Sequence, residues 1–245
     1  MTPNDGIALS IVLPARDEAP NVGPLLRGIS AALSGVAHEI VLVDDGSGDG
    51  TAEAALALRP DLPQVRVIRH ERSCGQSAAL RTGILAARGP VIATLDADGQ
   101  NPAAELPRLV APLLAPGADP AIGLVQGQRK RRQDTWSRRM ASRLANSVRQ
   151  ALLRDRVRDS GCGLKAFRRD VYLALPYFDH IHRFMPALIR REGYEVLLMD
   201  VDHADRRAGR SKYSNLGRAL VGIVDLAGVA WLLRRRKLAQ ARELP

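Results

Sequence analysis

Four short apolar runs, alternating with helix-patterned stretches, fill the first hundred residues of this 245-residue chain. They are Leu9-Ser-Ile-Val-Leu13, closed by Pro14; Glu39-Ile-Val-Leu-Val43, closed by Asp44-Asp45-Gly46-Ser47-Gly48; Val65-Arg-Val-Ile68; and Pro90-Val-Ile-Ala-Thr-Leu95, closed by Asp96-Ala97-Asp98. Helices are predicted between them over 22–33, 51–58 and 76–87. Such alternation specifies a mostly parallel sheet, because parallel neighbours need a crossover and a helix is its usual form. Parallel strands bring their carboxyl ends to one edge, where ligands of open α/β sheets bind. The polar clusters at 14–18, 44–50 and 96–100 fall at those ends. The expected fold class is α/β, a Rossmann-like sheet flanked by helices.

Past Ile122-Gly-Leu-Val125 the pattern changes. Trp136, Met140, Leu144, Val148 and Leu152 recur every four residues and predict one stripe of a helix. Arg138 and Ser142, one turn apart, share a different face. Asp159-Ser-Gly-Cys-Gly163 reads as a loop, and Glu195-Val-Leu-Leu-Met199 as another strand. No linker or internal repeat interrupts the chain, so one domain is expected.

The net charge is +10, and the excess sits in two segments. Residues 129–158 hold eleven bases against two acids, and 206–237 hold nine against one, which leaves the remainder acidic. All but four of the bases are arginines. Codon bias explains that skew, and so does phosphate recognition, since the guanidinium fork fits phosphate oxygens. Nucleic acid is a poor partner: aromatic residues are 4% of the chain, few for stacking, and the acidic strand ends repel phosphate.

The apolar stretch from Ala219 to Leu233 has fifteen residues and contains Asp225, too short to span a bilayer. Arg234-Arg-Arg-Lys237 follows at once. The pair reads either as a helix lying on an anionic membrane surface or as a core helix with a solvated basic tail. The start of the chain lacks the pattern of a secretory signal, and Cys74 and Cys162 lack metal or disulfide spacing. A reducing, cytoplasmic setting is expected.

Asp96 and Asp98 flank one residue at a strand end, so both carboxylates can point to one side. Mg²⁺ and Mn²⁺ favour such oxygen ligands and often bridge to phosphates, and Gln100 offers a third oxygen. Alone, this tripeptide is weak evidence and is more often an ordinary acidic loop; its place at a strand end beside two similar clusters strengthens the metal reading.

Six segments together resemble a family. They are Val12-Leu-Pro-Ala-Arg-Asp-Glu18, Val43-Asp-Asp-Gly-Ser47, Gly75-Gln-Ser-Ala-Ala79, Leu95-Asp-Ala-Asp-Gly-Gln-Asn-Pro102, Asp159-Ser-Gly-Cys-Gly-Leu-Lys-Ala-Phe-Arg-Arg169 and Arg206-Arg-Ala-Gly-Arg-Ser-Lys-Tyr213. In this order they resemble family-2 glycosyltransferases of the GT-A fold, in the branch of dolichyl-phosphate mannose synthases and bacterial polyprenyl-phosphate glycosyltransferases. The likeness runs from about Ser10 to Leu233. The stretch from Arg132 to Ser142 is most similar to transferases that load aminoarabinose derivatives or uronic acids onto undecaprenyl-type phosphate.

The resemblance implies roles. Pro14, Ala15, Glu18 and Asp45 line the nucleotide pocket, with Asp96 beside it. Asp96, Asp98 and Gln100 ligate Mg²⁺ or Mn²⁺. Arg129, Arg138 and Ser142 bind the acceptor phosphate, and Arg206 and Lys212 belong to a loop that closes over the diphosphate. One departure is visible: Ser73 stands where the family usually has Asn, which puts a local hydrogen bond in doubt.

The resemblance implies a nucleotide-sugar half over 1–126, an acceptor half over 127–215, and a C-terminal amphipathic helix and basic tail over 216–245. It implies an enzyme peripheral on the inner face of the cell membrane, with a UDP-sugar favoured over GDP-mannose. Self-association is compatible with it. The alternatives are a saccharide acceptor, which needs a carboxylate base, and a basic nucleic-acid-binding protein. His182 and Cys162 are read as packing residues rather than catalytic ones.

Overall fold

A computed structural model of the chain describes residues 6–130, 149–204, 215–236 and 242. In chain order the elements are β1 (Leu9–Ala15), α1 (Ala19–Ala32), β2 (His38–Asp44), α2 (Thr51–Leu56), β3 (Val65–Arg69), α3 (Gln76–Ala86), β4 (Val91–Thr94), α4 (Leu106–Leu114), β5 (Ile122–Arg129), β6 (Lys165–Arg168), α5 (Arg169–Leu173), α6 (Met185–Arg191), β7 (Glu195–Val201) and α7 (Asn215–Arg235). The strands form one sheet in the order β3-β2-β1-β4-β6-β5-β7. Pairing is parallel among β3, β2, β1 and β4 and between β5 and β7, while β6 runs antiparallel to both its neighbours.

Alternation along the strands sorts the core into two layers. Leu9, Ile11 and Leu13 of β1 face α1 and α4, whose Leu26, Ile29, Leu106 and Leu109 are buried with them. Val12 faces the other way with Ile92, Leu124 and Phe167, under Leu80 and Ile84 of α3 and residues of α5 and α6. Gly83 lets α3 come close: a Cβ there would lie 2.4 Å from Val12 Cγ1.

The sequence ends the first strand at Pro14, but β1 runs on to Ala15. Its pairing with β4 stops at Val12–Thr94, while pairing with β2 continues to Ala15–Asp44. Pro14 therefore sits where the strand has become an edge, the position at which a missing N–H is tolerated. β6 was not anticipated at all. Of the expected helical stripe, Trp136, Met140, Leu144 and Val148 lie outside the described residues, and Leu152 is exposed.

α7 carries apolar residues on both sides. Leu226, Val229 and Leu233 pack on the α5–α6 layer, and Val221, Ile223, Val224 and Trp231 are exposed. Asp225 points inward and accepts a bond from His180 Nδ1 at 3.0 Å, and Arg236 pairs with Glu192 at 3.2 Å. No described helix is long and apolar enough to cross a membrane.

The amino ends of the strands are locked by Glu39, which is 2% exposed. It accepts from Ser10 Oγ (2.7 Å), Arg66 Nη1 (2.6 Å) and the Arg88 N–H (2.6 Å). Burial pushes this carboxyl up, but the bonds from Ser10, Arg66 and Arg88 outweigh burial and hold it below the ordinary value. A lowered folded value means stability that is present above the ordinary glutamate range and lost as pH falls through the folded value. Chemical denaturation of E39Q should show a loss of roughly 1–3 kcal/mol at neutral pH. Its stability should also fall less steeply on acidification than that of the wild type.

Candidate functional site

The carboxyl ends of β1, β2 and β4 meet at one edge, as parallel pairing requires. The loops after β1 and β2 are stitched together by side chains bonding to main chain. Ser47 Oγ accepts the Asp17 N–H, Asp17 Oδ1 accepts the Gly48 N–H, and Thr51 Oγ1 accepts the Glu18 N–H, each at 2.9 Å. The Glu18 carboxylate is held by Asn21 Nδ2 at 2.6 Å.

Asp45 is the hub. Its N–H donates to the Ala15 carbonyl (2.8 Å), and its carboxylate accepts from the N–H groups of Cys74 (2.8 Å) and Gly75 (2.9 Å), from Ser73 Oγ (2.7 Å) and from His70 Nδ1 (2.8 Å). Burial raises its pKa, yet these bonds together keep it below the ordinary carboxylate value. Ser73 thus supplies a local bond that its departure from the family's Asn put in doubt. Asp45, His70 and Cys74 bring ligand atoms within 4.8 Å of one another. Donors already occupy both oxygens of Asp45, so the trio is an orienting network.

Asp96 and Asp98 follow β4. Asp98 is 8% exposed and accepts the Gln100 N–H at 3.1 Å. Asp96 accepts from Gln76 Nε2 (2.9 Å) at the start of α3 and from Asn101 Nδ2 (3.3 Å). Both aspartates line one cleft of about 270 Å³, together with Pro14, Ala15, Glu18, Asp45 and Gln76. The structure therefore gathers six of the sequence-derived positions in a single cavity. Gln100 follows on the same turn but does not line the cleft; its carbonyl accepts the Ala204 N–H at 2.9 Å. Burial pushes the Asp96 carboxyl up and the neighbouring Asp98 adds to the push, while Lys165, Asn101 and Arg129 only partly oppose it. Two carboxylates lining one cleft are a donor set that suits a hard divalent cation.

The loop 159–163 closes the side of this turn. A Cβ on Gly163 would lie 2.3–2.6 Å from the Asp96 carboxylate, so only glycine leaves room for that carboxylate. The Gly163 carbonyl accepts from Thr94 Oγ1 at 2.7 Å. Lys165, 3% exposed, donates to the carbonyls of Cys162 and Ser160. Burial pushes the Cys162 thiol up, the direction of an inert packing residue. His182 is held far below the ordinary imidazole value, first by burial and then by Lys165, and its Nδ1 lies 2.7 Å from Ser77 Oγ.

Arg129, at the end of β5, is engaged by Asp159: Nε to Oδ2 at 2.5 Å and Nη2 to Oδ1 at 2.9 Å. Sequence reasoning assigned Arg129 to an acceptor phosphate and gave Asp159 no role. Gln76, Asn101, Asp159 and Lys165 were likewise left without roles, although all four stand inside the quoted motif segments. Arg138, Ser142, Arg206 and Lys212 lie outside the described residues.

Fold and cleft together define a class: a Rossmann-like α/β protein of the GT-A type, with paired carboxylates at the mouth of its cleft. The chain belongs to glycosyl transferase family 2, whose sequence profile matches residues 10–175. It is 39% identical over 210 residues to the undecaprenyl-phosphate 4-deoxy-4-formamido-L-arabinose transferase of Enterobacter sp. (strain 638), covering 84% of this chain and 62% of that protein. The protein of the same name from Pseudomonas fluorescens is 40% identical over 84% of this chain and 60% of its own length. The chain thus spans about three-fifths of the length of these relatives. Among solved structures it resembles glucosyl-3-phosphoglycerate synthase from Mycobacterium tuberculosis in complex with Mg²⁺ and UDP, with TM-score 0.69, 22% identity, and coverage of 91% of this chain and 80% of that one. A mannosyltransferase from Pyrobaculum calidifontis in complex with GDP-Man and Mn²⁺ gives TM-score 0.67 at 22% identity, covering 94% and 65%.

Gly163→Ala tests the packing of the turn. The added methyl must displace the Asp96 carboxylate, so chemical denaturation should show a loss of roughly 1–3 kcal/mol, with the fold retained by circular dichroism.

Proposed function

We propose that this chain transfers a sugar from a nucleotide sugar to a polyprenyl phosphate such as undecaprenyl phosphate, with Mg²⁺ or Mn²⁺ as cofactor. The observation that carries this reading is the 39–40% identity, over 84% of the chain, to proteins named as undecaprenyl-phosphate transferases. The cleft supports it, because it joins the nucleotide-lining positions to the paired carboxylates. A UDP-sugar is favoured over GDP-mannose. The product would serve as a donor for envelope glycan or lipid modification.

The chain's own groups divide the work. Pro14, Ala15, Glu18 and Asp45 line the nucleotide end of the cleft. Asp96 and Asp98 would hold the cation, with Gln100 beside them. When bound, that cation offsets the charge gathering on the leaving diphosphate. Arg129, Arg138 and Ser142 would hold the acceptor phosphate, and Arg206 and Lys212 the diphosphate. A lipid phosphate carries about −1.5 to −2 charges near neutral pH and is already a nucleophile, so a strong base is not needed. His182, held well below the ordinary imidazole value by burial, is a weak base, which accords with that. Catalysis would rest on alignment and electrostatics, in a single displacement that inverts the anomeric carbon. Residues 1–126 would form the donor half and 127–215 the acceptor half.

A lipid acceptor requires the enzyme to meet a bilayer. The outer face of α7, with Val221, Ile223, Val224 and Trp231 exposed and Arg234 and Arg235 in its last turn, suits an anionic membrane surface. Within this reading the enzyme works peripherally, on the cytoplasmic face of the membrane.

A panel of UDP-sugars and GDP-mannose, each incubated with undecaprenyl phosphate and Mn²⁺, should yield a lipid-linked sugar from a UDP-sugar. Asp98→Ala should lower its formation by on the order of 100-fold or more. Full activity of that variant in the presence of a chelator would sink the metal role. For the membrane contact, a Val224→Asp, Trp231→Asp double variant should float less with anionic liposomes than the wild type. Equal flotation removes α7 as the anchor.

A further inference from the structure

The loop 159–163 touches both halves of the site. At one end, Asp159 grips Arg129 side-on, and the pair is largely enclosed, with Arg129 19% and Asp159 8% exposed. At the other end, Gly163 abuts the Asp96 carboxylate. Between them the loop is pinned to the sheet. Lys165 Nζ takes the Cys162 and Ser160 carbonyls, Thr94 Oγ1 takes the Gly163 carbonyl, and the Gly127 N–H takes the Leu164 carbonyl at 2.9 Å. Five consecutive residues thus join the turn that carries Asp96 to the guanidinium of Arg129, with little freedom in between.

A guanidinium presents five N–H groups in one rigid plane. Asp159 occupies the Nε–Nη2 edge. Among the described residues nothing bonds Nη1, so the end-on edge is the one left to receive two oxygens of another anion. Fixing one edge of the fork fixes the direction of the other. In-line transfer rewards this, because a misplacement of about 1 Å can cost on the order of 100-fold in rate.

We infer that Asp159 is a positioning residue: it holds Arg129 side-on so that the free edge of the guanidinium faces the acceptor phosphate, at a distance from the Asp96–Asp98 turn set by the pinned loop. The inference rests on the reading of Arg129 as an acceptor-phosphate ligand. Asp159 touches neither substrate; it acts through Arg129. It also supplies the counter-charge that lets an arginine stay enclosed between substrate visits, since an unpaired buried charge is costly.

The test uses two binding titrations, one with undecaprenyl phosphate in detergent micelles and one with UDP and Mn²⁺. Proteins compared are the wild type, D159N, D159E, R129A and the D159N/R129A double variant, each checked by thermal melting. D159N should weaken undecaprenyl phosphate by about tenfold or more and leave UDP with Mn²⁺ within about twofold. On the R129A background it should add nothing, as expected for two residues acting as a unit. D159E keeps the charge but moves the carboxylate by one methylene, so it should show the same acceptor-specific loss, and it serves if D159N is unstable. Tighter acceptor binding by D159N would mean that the carboxylate competes with phosphate, and overturns the inference. So would losses that multiply in the double variant, an equal loss of UDP binding, or full affinity in D159E. Unchanged acceptor binding by R129A defeats the assignment of Arg129 itself, and with it this role, while leaving the donor cleft untouched.

Discussion

The insertion of β6, antiparallel, between β4 and β5 is the constraint on which the rest of the site depends. Parallel strands bring only their carboxyl ends to the functional edge. A strand that runs the other way brings its beginning there instead, together with the loop that precedes it. That is how residues 159–163, far along the chain, come to lie beside the turn after β4. Thr94 pairs with Lys165 across this junction, and the donors beneath the loop follow from that register. Had β6 run parallel, the loop would lie at the opposite edge, and Asp96 and Arg129 would share no support.

Two carboxylates at this edge show opposite solutions to the same problem. Each ends a strand and each is drawn out of water, which disfavours charge. Asp45 meets the cost with four donors, two of them main-chain N–H groups, and keeps its charge. Asp96 has two side-chain amides and a like-charged neighbour, and its pKa rises. A saturated carboxylate shapes a pocket; an under-compensated one leaves an oxygen-rich corner in which a cation would be favoured. The proposed division between nucleotide wall and metal turn therefore has donor counts behind it as well as motif.

Much of this was legible in sequence, and the gaps have physical causes. Strands β1 to β4 stand out because each is a buried apolar run closed by turn residues. The paired carboxylates stand out because the sequence expects alternation at a strand end to put Asp96 and Asp98 on one side; β4 stops at Thr94, and the turn beyond it brings both to one cleft instead. β6 does not, because Lys165-Ala-Phe-Arg168 is short and charged at both ends, and nothing in its pattern says that its lysine is enclosed. Asp159 was passed over because an acid in a glycine-rich loop reads as solvated, and its partner lies thirty residues away. Pro14 looked like a strand terminator because proline forbids a ladder bond, and only the staggered ends of β1 and β4 explain why it is tolerated. Motif order identified the segments; the contacts that join them belong to topology.

The docking of α7 has a consequence for how any surface is met. Many segments that bind lipid or protein fold as they bind, and that ordering commonly costs several kcal/mol of the gross interaction. Here Val229 is already buried, Asp225 is held by His180 and Arg236 by Glu192, so the outer row of Val221, Val224 and Trp231 rides on a helix that is folded before contact. Association through that row would leave the protein's shape unchanged and would not spend its energy on folding. A modest apolar strip can then give contact that forms and releases repeatedly, as the proposed transfer to one lipid after another would require.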